Sequence, residues 1–262
     1  MDTRAHNRAF WNRQAHDGGE WSRPVSRARI EAARRGRWDI ILTPKRAMPR
    51  AWLGDPADMM LLCLAGGGGQ QAPILAAAGA RVISLDLSEG QLALDHGLAR
   101  AHRLPLVCVQ ADMTQRLPFL DASFAAIIHP VANVFVPDVL PIWRECYRVL
   151  VPGGRLLAGF MNPAYFLFDH DEALETGTLV VRHRLPYAGP DDLDATRRAR
   201  WHERGEPAEF GHTLGDLIGG QLRAGFHLID LYEDAWDDEA TALNRYMHTT
   251  LATCAIKTVA SQ

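Results

Sequence analysis

Gly66, Gly67, Gly68 and Gly69 stand in a row just after an apolar run, Met59–Leu64, and lead into the small-residue segment Gln70–Ala78. Backbone without side chains lets a ligand approach closely, and the first N–H groups of a helix point outward without partners. A strand that ends in such a turn and feeds a helix is therefore a site for the polar part of a nucleotide-like ligand. About 20 residues on, Asp86 closes a second apolar run, Arg81–Leu85, where a carboxylate can accept hydrogen bonds from both hydroxyls of a ribose. The turn alone leaves the ligand open. Gly67-x-Gly69-x-x-Ala72 also satisfies the dinucleotide fingerprint, so an NAD-dependent oxidoreductase is one reading.

The elements that must position these residues alternate along the chain. Met59–Leu64, Arg81–Leu85, Leu106–Gln110, Ala125–His129 and Arg155–Met161 read as strands buried on both faces. Between them lie the helix Gln70–Ala78, a helix from the Ser88-Glu-Gly-Gln91 capping pattern to about Arg100, and an amphipathic helix, Asp138–Leu150, stopped by Pro152-Gly153-Gly154. Strands alternating with helices imply a parallel sheet with right-handed crossovers. Residues 163–212 break the rhythm with charges, prolines and one strand-like run, Thr178–Arg184, and read as an inserted cap. Thr213 opens a further helix to about Arg223, and Phe226–Tyr232 and Thr249–Val259 complete seven strands. Residues 1–58 hold a short helix, Ser26–Arg37, within a polar stretch anchored by Trp11, Trp21, Trp38 and Trp52. They read as an arm or lid on a domain spanning 59–262.

Downstream motifs narrow the ligand. Gln110-Ala111-Asp112-Met113 follows the third strand, Leu117-Pro118-Phe119 and Asp121-Ala-Ser-Phe124 precede the fourth, and Tyr147-Arg148-Val149-Leu150-Val151-Pro152-Gly153-Gly154 precedes the fifth. In order and spacing this series resembles the class I S-adenosylmethionine-dependent methyltransferases, particularly those related to quinone-biosynthesis enzymes. The resemblance runs from about Met60 to Met161 and resumes at Gly211-His-Thr-Leu-Gly-Asp-Leu and Ala224-Gly-Phe226. It implies an α/β, Rossmann-like class I methyltransferase fold, with a seven-stranded mostly parallel sheet and helices on both faces. It implies S-adenosylmethionine as cofactor. Ala65, Gly66 and Gly67 match the turn that cradles its methionine part. Asp86 matches the ribose-binding acid and Leu87 the apolar residue beside the adenine. Asp112 matches the acid at the adenine amino group, and Met113 the residue stacked on the ring. Gln91 and His129 are grouped with these cofactor-contacting positions, and Trp11 and Trp21 can close over the cofactor as N-terminal arms of the family do.

Three positions depart from the family pattern: Cys63 where an acid is usual, Ala65 where the first glycine is usual, and Ala125 where Asp is frequent. An alanine at position 65 costs little if its φ is negative, whereas Cys63 removes a polar anchor. A non-catalytic S-adenosylmethionine-binding module therefore stands beside the methyltransferase and oxidoreductase readings.

A sulfonium makes its methyl group electrophilic, so the protein's task is to hold an acceptor in line and exclude water; a base is needed only if the nucleophile must lose a proton. His129, at the carboxyl end of the fourth strand where open α/β sheets bind ligands, is the candidate base, and a backbone or cofactor contact is its alternative. Asn133 and Asn162 can orient an acceptor or cap loops. Asp86 has no expected role in holding the fold. The other histidines show no ligand spacing, and no metal is assigned.

The formal net charge of -3 gives no global basic field for nucleic acid. After the fourth strand His129-Pro130-Val131-Ala132-Asn133 lacks the Asn/Asp-Pro-Pro-aromatic motif of enzymes that methylate base or glutamine amino groups. A small-molecule acceptor is the expectation, with neither nucleic acid nor membrane as partner. The basic cluster Arg27, Arg29, Arg34, Arg35 and Arg37 reads as a solvated helix face. The four cysteines are far apart and read as small core residues of a reduced, cytoplasmic protein.

Overall fold

In a computed structural model of the protein, residues 2–237 and 239–258 are described. The chain begins with helix α1 (Thr3–Asp17), capped by the Asp2 carboxylate, which accepts from the Ala5 N–H at 3.1 Å, and ended by Gly18 in the left-handed region. Polar residues surround this helix, so it carries no hydrophobic stripe to announce it and depends on contacts elsewhere in the fold. Helix α2 (Arg27–Arg34), capped by Ser26, buries Ile30 and Ala33 and keeps its arginines outward, where Arg27 pairs with Glu31 at 2.6 Å.

Five strands with three helices between them follow. Strands β1 (Met60–Leu64), β2 (Arg81–Asp86), β3 (Leu106–Gln110), β4 (Phe124–His129) and β5 (Leu150–Met161) are linked through helices α3 (Gln71–Ala77), α4 (Glu89–His102) and α5 (Leu140–Val149). The proline-glycine turn lies within β5: Phe124 pairs with Leu150 and Ala126 with Arg155, so residues 151–154 bulge out of the ladder. Helices α6 (His170–Thr176) and α7 (Ala195–Arg204) belong to the insertion. Helix α8 (Leu214–Ala224) is capped by Thr213, and the antiparallel pair β6 (Phe226–Asp234) and β7 (Thr250–Lys257) ends the sheet. Val259, where the sequence reading ends the last strand, lies outside the described residues.

The seven strands lie in the order β3-β2-β1-β4-β5-β7-β6, and β7 alone runs against its neighbours. The order reverses between β1 and β4, and such a switch opens a crevice at the carboxyl ends of the strands. One face of the sheet packs on α3, part of α4, and the segment bearing Ile30, Trp38, Ile40, Leu42, Met48, Trp52 and Leu53. The other face packs on α5 and α8 around Trp143, Leu156, Leu217 and Phe226. The stretch between α2 and β1 is thus built into the core. Leu42 lies against β5 so closely that a Cβ at Gly159 would come 2.1 Å from its carbonyl oxygen. Thr178–Arg184 forms no strand; only Val181 bridges, to Phe168, because the cap offers no sheet edge and leaves Val180 and Val181 facing solvent.

Candidate functional site

The Gly-rich turn leaves β1 through Ala65, whose N–H donates to the Leu85 carbonyl at 2.8 Å. Its φ is +49°, left-handed backbone that favours glycine, so the condition under which this alanine would cost little is not met. The glycines that follow are required by what lies on them. A Cβ at Gly67 would meet Gln91 Cβ at 2.8 Å, one at Gly68 the Trp21 carbonyl at 2.7 Å, and one at Gly69 the Pro24 Cα at 2.9 Å. The arm therefore lies directly on the turn, and Val25 N–H donates to the Gly69 carbonyl at 2.8 Å.

Two carboxylates hold the turn from below. Asp86 accepts from Gly67 N–H at 3.1 Å and from Ser88 N–H at 2.9 Å, so it ties β2 to the turn as well as bordering the cavity. This corrects the expectation that Asp86 does nothing for the fold. Burial pushes its pKa up to about 6, against the pull of the Ser88 and Gly67 N–H groups. Asp95, fully buried on α4, accepts from Gly69 N–H at 2.8 Å, and burial pushes it up to about 7. It lies close enough to Cys63 to push that thiol up further. The carboxylate missing from position 63 at the end of β1 is thus supplied to the same turn from a helix. The signal in the sequence was an acid on the buried stripe of α4, with Gln91, Leu92 and Ala99.

A cavity of about 920 Å³ runs from this turn across the carboxyl ends of the strands. Ala65, Gly66, Gly67, Asp86, Leu87 and Gln91 border one end together with Asp112 and Met113. Asp112 accepts from Thr114 N–H and hydroxyl at 2.8 and 2.7 Å, leaving its second oxygen facing Arg4 of α1 at 3.8 Å. The loop that carries it is braced by Arg148, which donates to Leu117 and Phe119 carbonyls and pairs with Glu145 and Asp121. Gln91 donates to Ser22 Oγ at 2.6 Å and the Trp11 carbonyl at 3.3 Å; its Oε1 is buried at the cavity wall with no partner. A side-chain-free turn, a carboxylate at each of β2 and β3, and an orphaned amide oxygen suit an adenosine bearing an amino acid.

The arm and the cap roof the cavity. Trp11 stands edge-on to Phe135 with centroids 5.2 Å apart, and Trp21 borders the cavity while remaining 36% exposed. Asn12 takes the Ser88 hydroxyl at 2.6 Å and the Gly90 N–H at 3.0 Å, securing α1 on α4. On the cap side, His6 reaches the Glu206 carbonyl at 2.8 Å and Arg13 the Gly205 carbonyl at 2.8 Å. Away from the turn the cavity is lined by apolar and aromatic residues, among them Val134, Phe135, Met161, Tyr165 and Trp236, with Glu209 beside them.

His129 is not in this cavity. Strand alternation sends it to the same face as Ile127, toward α5, where its ring stands edge-on to Trp143 at 6.0 Å. Its Nδ1–H donates to the Leu64 carbonyl at 2.9 Å, Nε2 is buried without a partner, and burial pushes its pKa down to about 4. His129 is therefore a neutral core histidine that makes a backbone contact, the alternative to a base, and it is not among the residues bordering the cavity. Asn133 donates to the Gly159 carbonyl at 2.7 Å, and Asn162 accepts from Ala164 N–H at 3.1 Å; neither borders the cavity.

Comparison with known proteins bears on the family and the fold. A family model described as a methyltransferase domain matches residues 62–158. The uncharacterized methyltransferase YbaJ of Bacillus subtilis is 45% identical over 253 residues, covering 97% of this chain and 98% of that protein. The ubiquinone/menaquinone biosynthesis C-methyltransferase UbiE of Rubrivivax gelatinosus is 37% identical over 114 residues, 42% of this chain and 43% of that protein. Among solved structures, an S-adenosylmethionine-dependent methyltransferase from Mesorhizobium loti has a TM-score of 0.60 at 22% identity over 79% of this chain and 94% of that one. The 1,6-didemethyltoxoflavin-N1-methyltransferase of Burkholderia thailandensis has a TM-score of 0.57 at 17% identity over 97% and 88%. The chain belongs to the class I S-adenosylmethionine-dependent methyltransferases. It is an enzyme with S-adenosylmethionine as cofactor, and the oxidoreductase and binding-module alternatives fall. No helix among the described residues is long and apolar enough to cross a membrane.

Proposed function

We propose that the enzyme transfers the methyl group to a small-molecule acceptor, held for in-line displacement inside the roofed cavity. The observation that carries this is the continuity of one space of about 920 Å³ from the Gly-rich turn to the apolar pocket at Met161 and Trp236. Ligand sites hold roughly 300–1,000 Å³, so this one is large enough for a cofactor and a modest acceptor together. S-adenosylmethionine supplies an electrophilic methyl group. The backbone of Ala65, Gly66 and Gly67 receives its amino-acid part, Asp86 its ribose, and Asp112 and Met113 its adenine, with Leu87 and Gln91 alongside. Trp11, Trp21 and Arg4 cover it. The 1–22 portion of the arm acts as the lid, excluding water and fixing the acceptor's approach.

A small acceptor is also what the Burkholderia thailandensis relative holds, its structure containing 1,6-didemethyltoxoflavin and S-adenosylhomocysteine. The net charge of -3 and a site enclosed by arm and cap weigh against a nucleic-acid substrate. Transfer of label from methyl-labelled cofactor into the small-molecule fraction of a metabolite extract tests the proposal. Label appearing only in RNA, DNA or protein overturns it.

A further inference from the structure

The cavity lining beside Tyr165 and Trp236 includes a carboxylic acid, Glu209, whose placement is built. Glu209 lies between two anchored neighbours. Ala208 exchanges hydrogen bonds with Asn7 of α1 at 2.8 and 3.0 Å, and Phe210 N–H donates to the Val134 carbonyl at 2.7 Å. Gly211 and Tyr187 then exchange backbone bonds at 2.9 and 3.0 Å, and Gly189 packs so closely that a Cβ there would come 2.8 Å from the Glu209 carbonyl oxygen. Glu209 borders the same cavity as Tyr165, Met161 and Trp236. No hydrogen bond or cation offsets its charge among the described residues, and burial, aided by Glu206, pushes its pKa up to about 7. Glu209 also lines a neighbouring cavity together with Tyr165 and Tyr187.

An unpaired carboxylate in an aromatic pocket is costly unless the ligand supplies its partner. Resting on the small-molecule reading above, we propose that Glu209 is the catalytic proton acceptor for a phenol- or enol-type hydroxyl on a flat apolar acceptor. The acceptor oxygen forms a bond to the methyl carbon while the carbon–sulfur bond breaks, its electron pair remaining on sulfur. The hydroxyl proton passes to the Glu209 carboxylate, leaving a methyl ether, a neutral thioether and a protonated Glu209. A base with a pKa near the working pH suits such a transfer and is worth roughly 10²–10⁴ in rate. Aromatic walls at Phe135, Tyr165 and Trp236 select a ring over a flexible chain.

The test uses the full-length protein with naphthols and phenols whose hydroxyl pKa values run from about 7 to about 10. Wild type is expected to methylate the series. Glu209→Gln should lose about 100-fold in turnover on the least acidic members and only a few-fold on the most acidic, which ionise without help. S-adenosylhomocysteine affinity of the variant should stay within twofold, and its affinity for 1-naphthol in the presence of S-adenosylhomocysteine should fall several-fold. Equal turnover of variant and wild type across the series overturns the proposal, as does wild-type transfer from an extract to carbon acceptors alone. Wild type that fails to bind S-adenosylhomocysteine, or that labels only macromolecules, instead overturns the reading on which the proposal rests.

Discussion

Asn7 and Ala208 pair through two hydrogen bonds although 201 residues separate them: the Asn7 amide donates to the Ala208 carbonyl at 3.0 Å and its oxygen accepts the Ala208 N–H at 2.8 Å. Asn7 also donates to the Phe135 carbonyl at 3.0 Å and is almost fully buried. One side chain thus joins the arm, the cap and the loop after β4 over the cavity.

Asn7→Ala should therefore loosen the roof without unfolding the sheet. Three hydrogen bonds are lost and the buried Ala208 N–H is left without a partner, a cost of about 2 kcal/mol. Local opening should rise roughly 30-fold, seen as faster S-adenosylhomocysteine dissociation in stopped-flow and faster proteolysis within residues 2–22. An unchanged dissociation rate would mean that the arm is packaging and not a lid.

Asp95 makes a pH-dependent prediction with a definite sign. Burial penalises its charged form, so the folded protein holds the proton more tightly than the unfolded chain, up to about pH 7 against an ordinary carboxylate value near 4. Its contribution to stability accordingly falls as pH rises through that window. Asn at this position carries no charge, and its amide oxygen still accepts from Gly69 N–H. The stability of Asp95→Asn minus that of wild type should increase from pH 4.5 to pH 8, read from urea midpoints at each pH. A difference independent of pH would show that Asp95 is ionised in both states throughout.

Ala65 occupies left-handed backbone at φ +49°. Relief of that strain by Ala65→Gly is partly offset by the greater freedom of glycine in the unfolded chain. The expected result is a gain of up to about 1 kcal/mol, or about 2 °C in Tm for a domain of this size. Loss of stability on this substitution would place the alanine's methyl group in useful contact.

His129→Ala should act on stability and leave chemistry alone. It removes a fully buried ring from Trp143 and a donor from the Leu64 carbonyl, a loss of about 2–4 kcal/mol. Turnover per folded molecule should remain within a few-fold of wild type. A hundredfold loss with the fold intact would restore His129 as the base.

The sheet and the family were legible in the sequence, and so was the set of residues that gathers at the Gly-rich end of the cavity. These features are local: a buried strand is a short apolar run, a turn is a cluster of glycines, and Asp86, Asp112 and Met113 stand at fixed distances from strand ends. Even there, a strand's two-residue period leaves open which face is which, so the sequence allows His129 as a base or as a backbone contact, and its bond to the Leu64 carbonyl is the second. The roof and the apolar end of the cavity emerge only once the chain is folded. Helix α1 has no stripe to reveal it, because Asn7 and Asn12 anchor it through contacts with distant segments. Asp95 replaces an acid missing from β1 by reaching the same turn from a helix. Glu209 carries no pattern at all. It lies in an irregular segment between prolines and glycines, and its position follows from hydrogen bonds that Asn7 and Val134 make with its neighbours, long-range pairings that no local sequence pattern encodes.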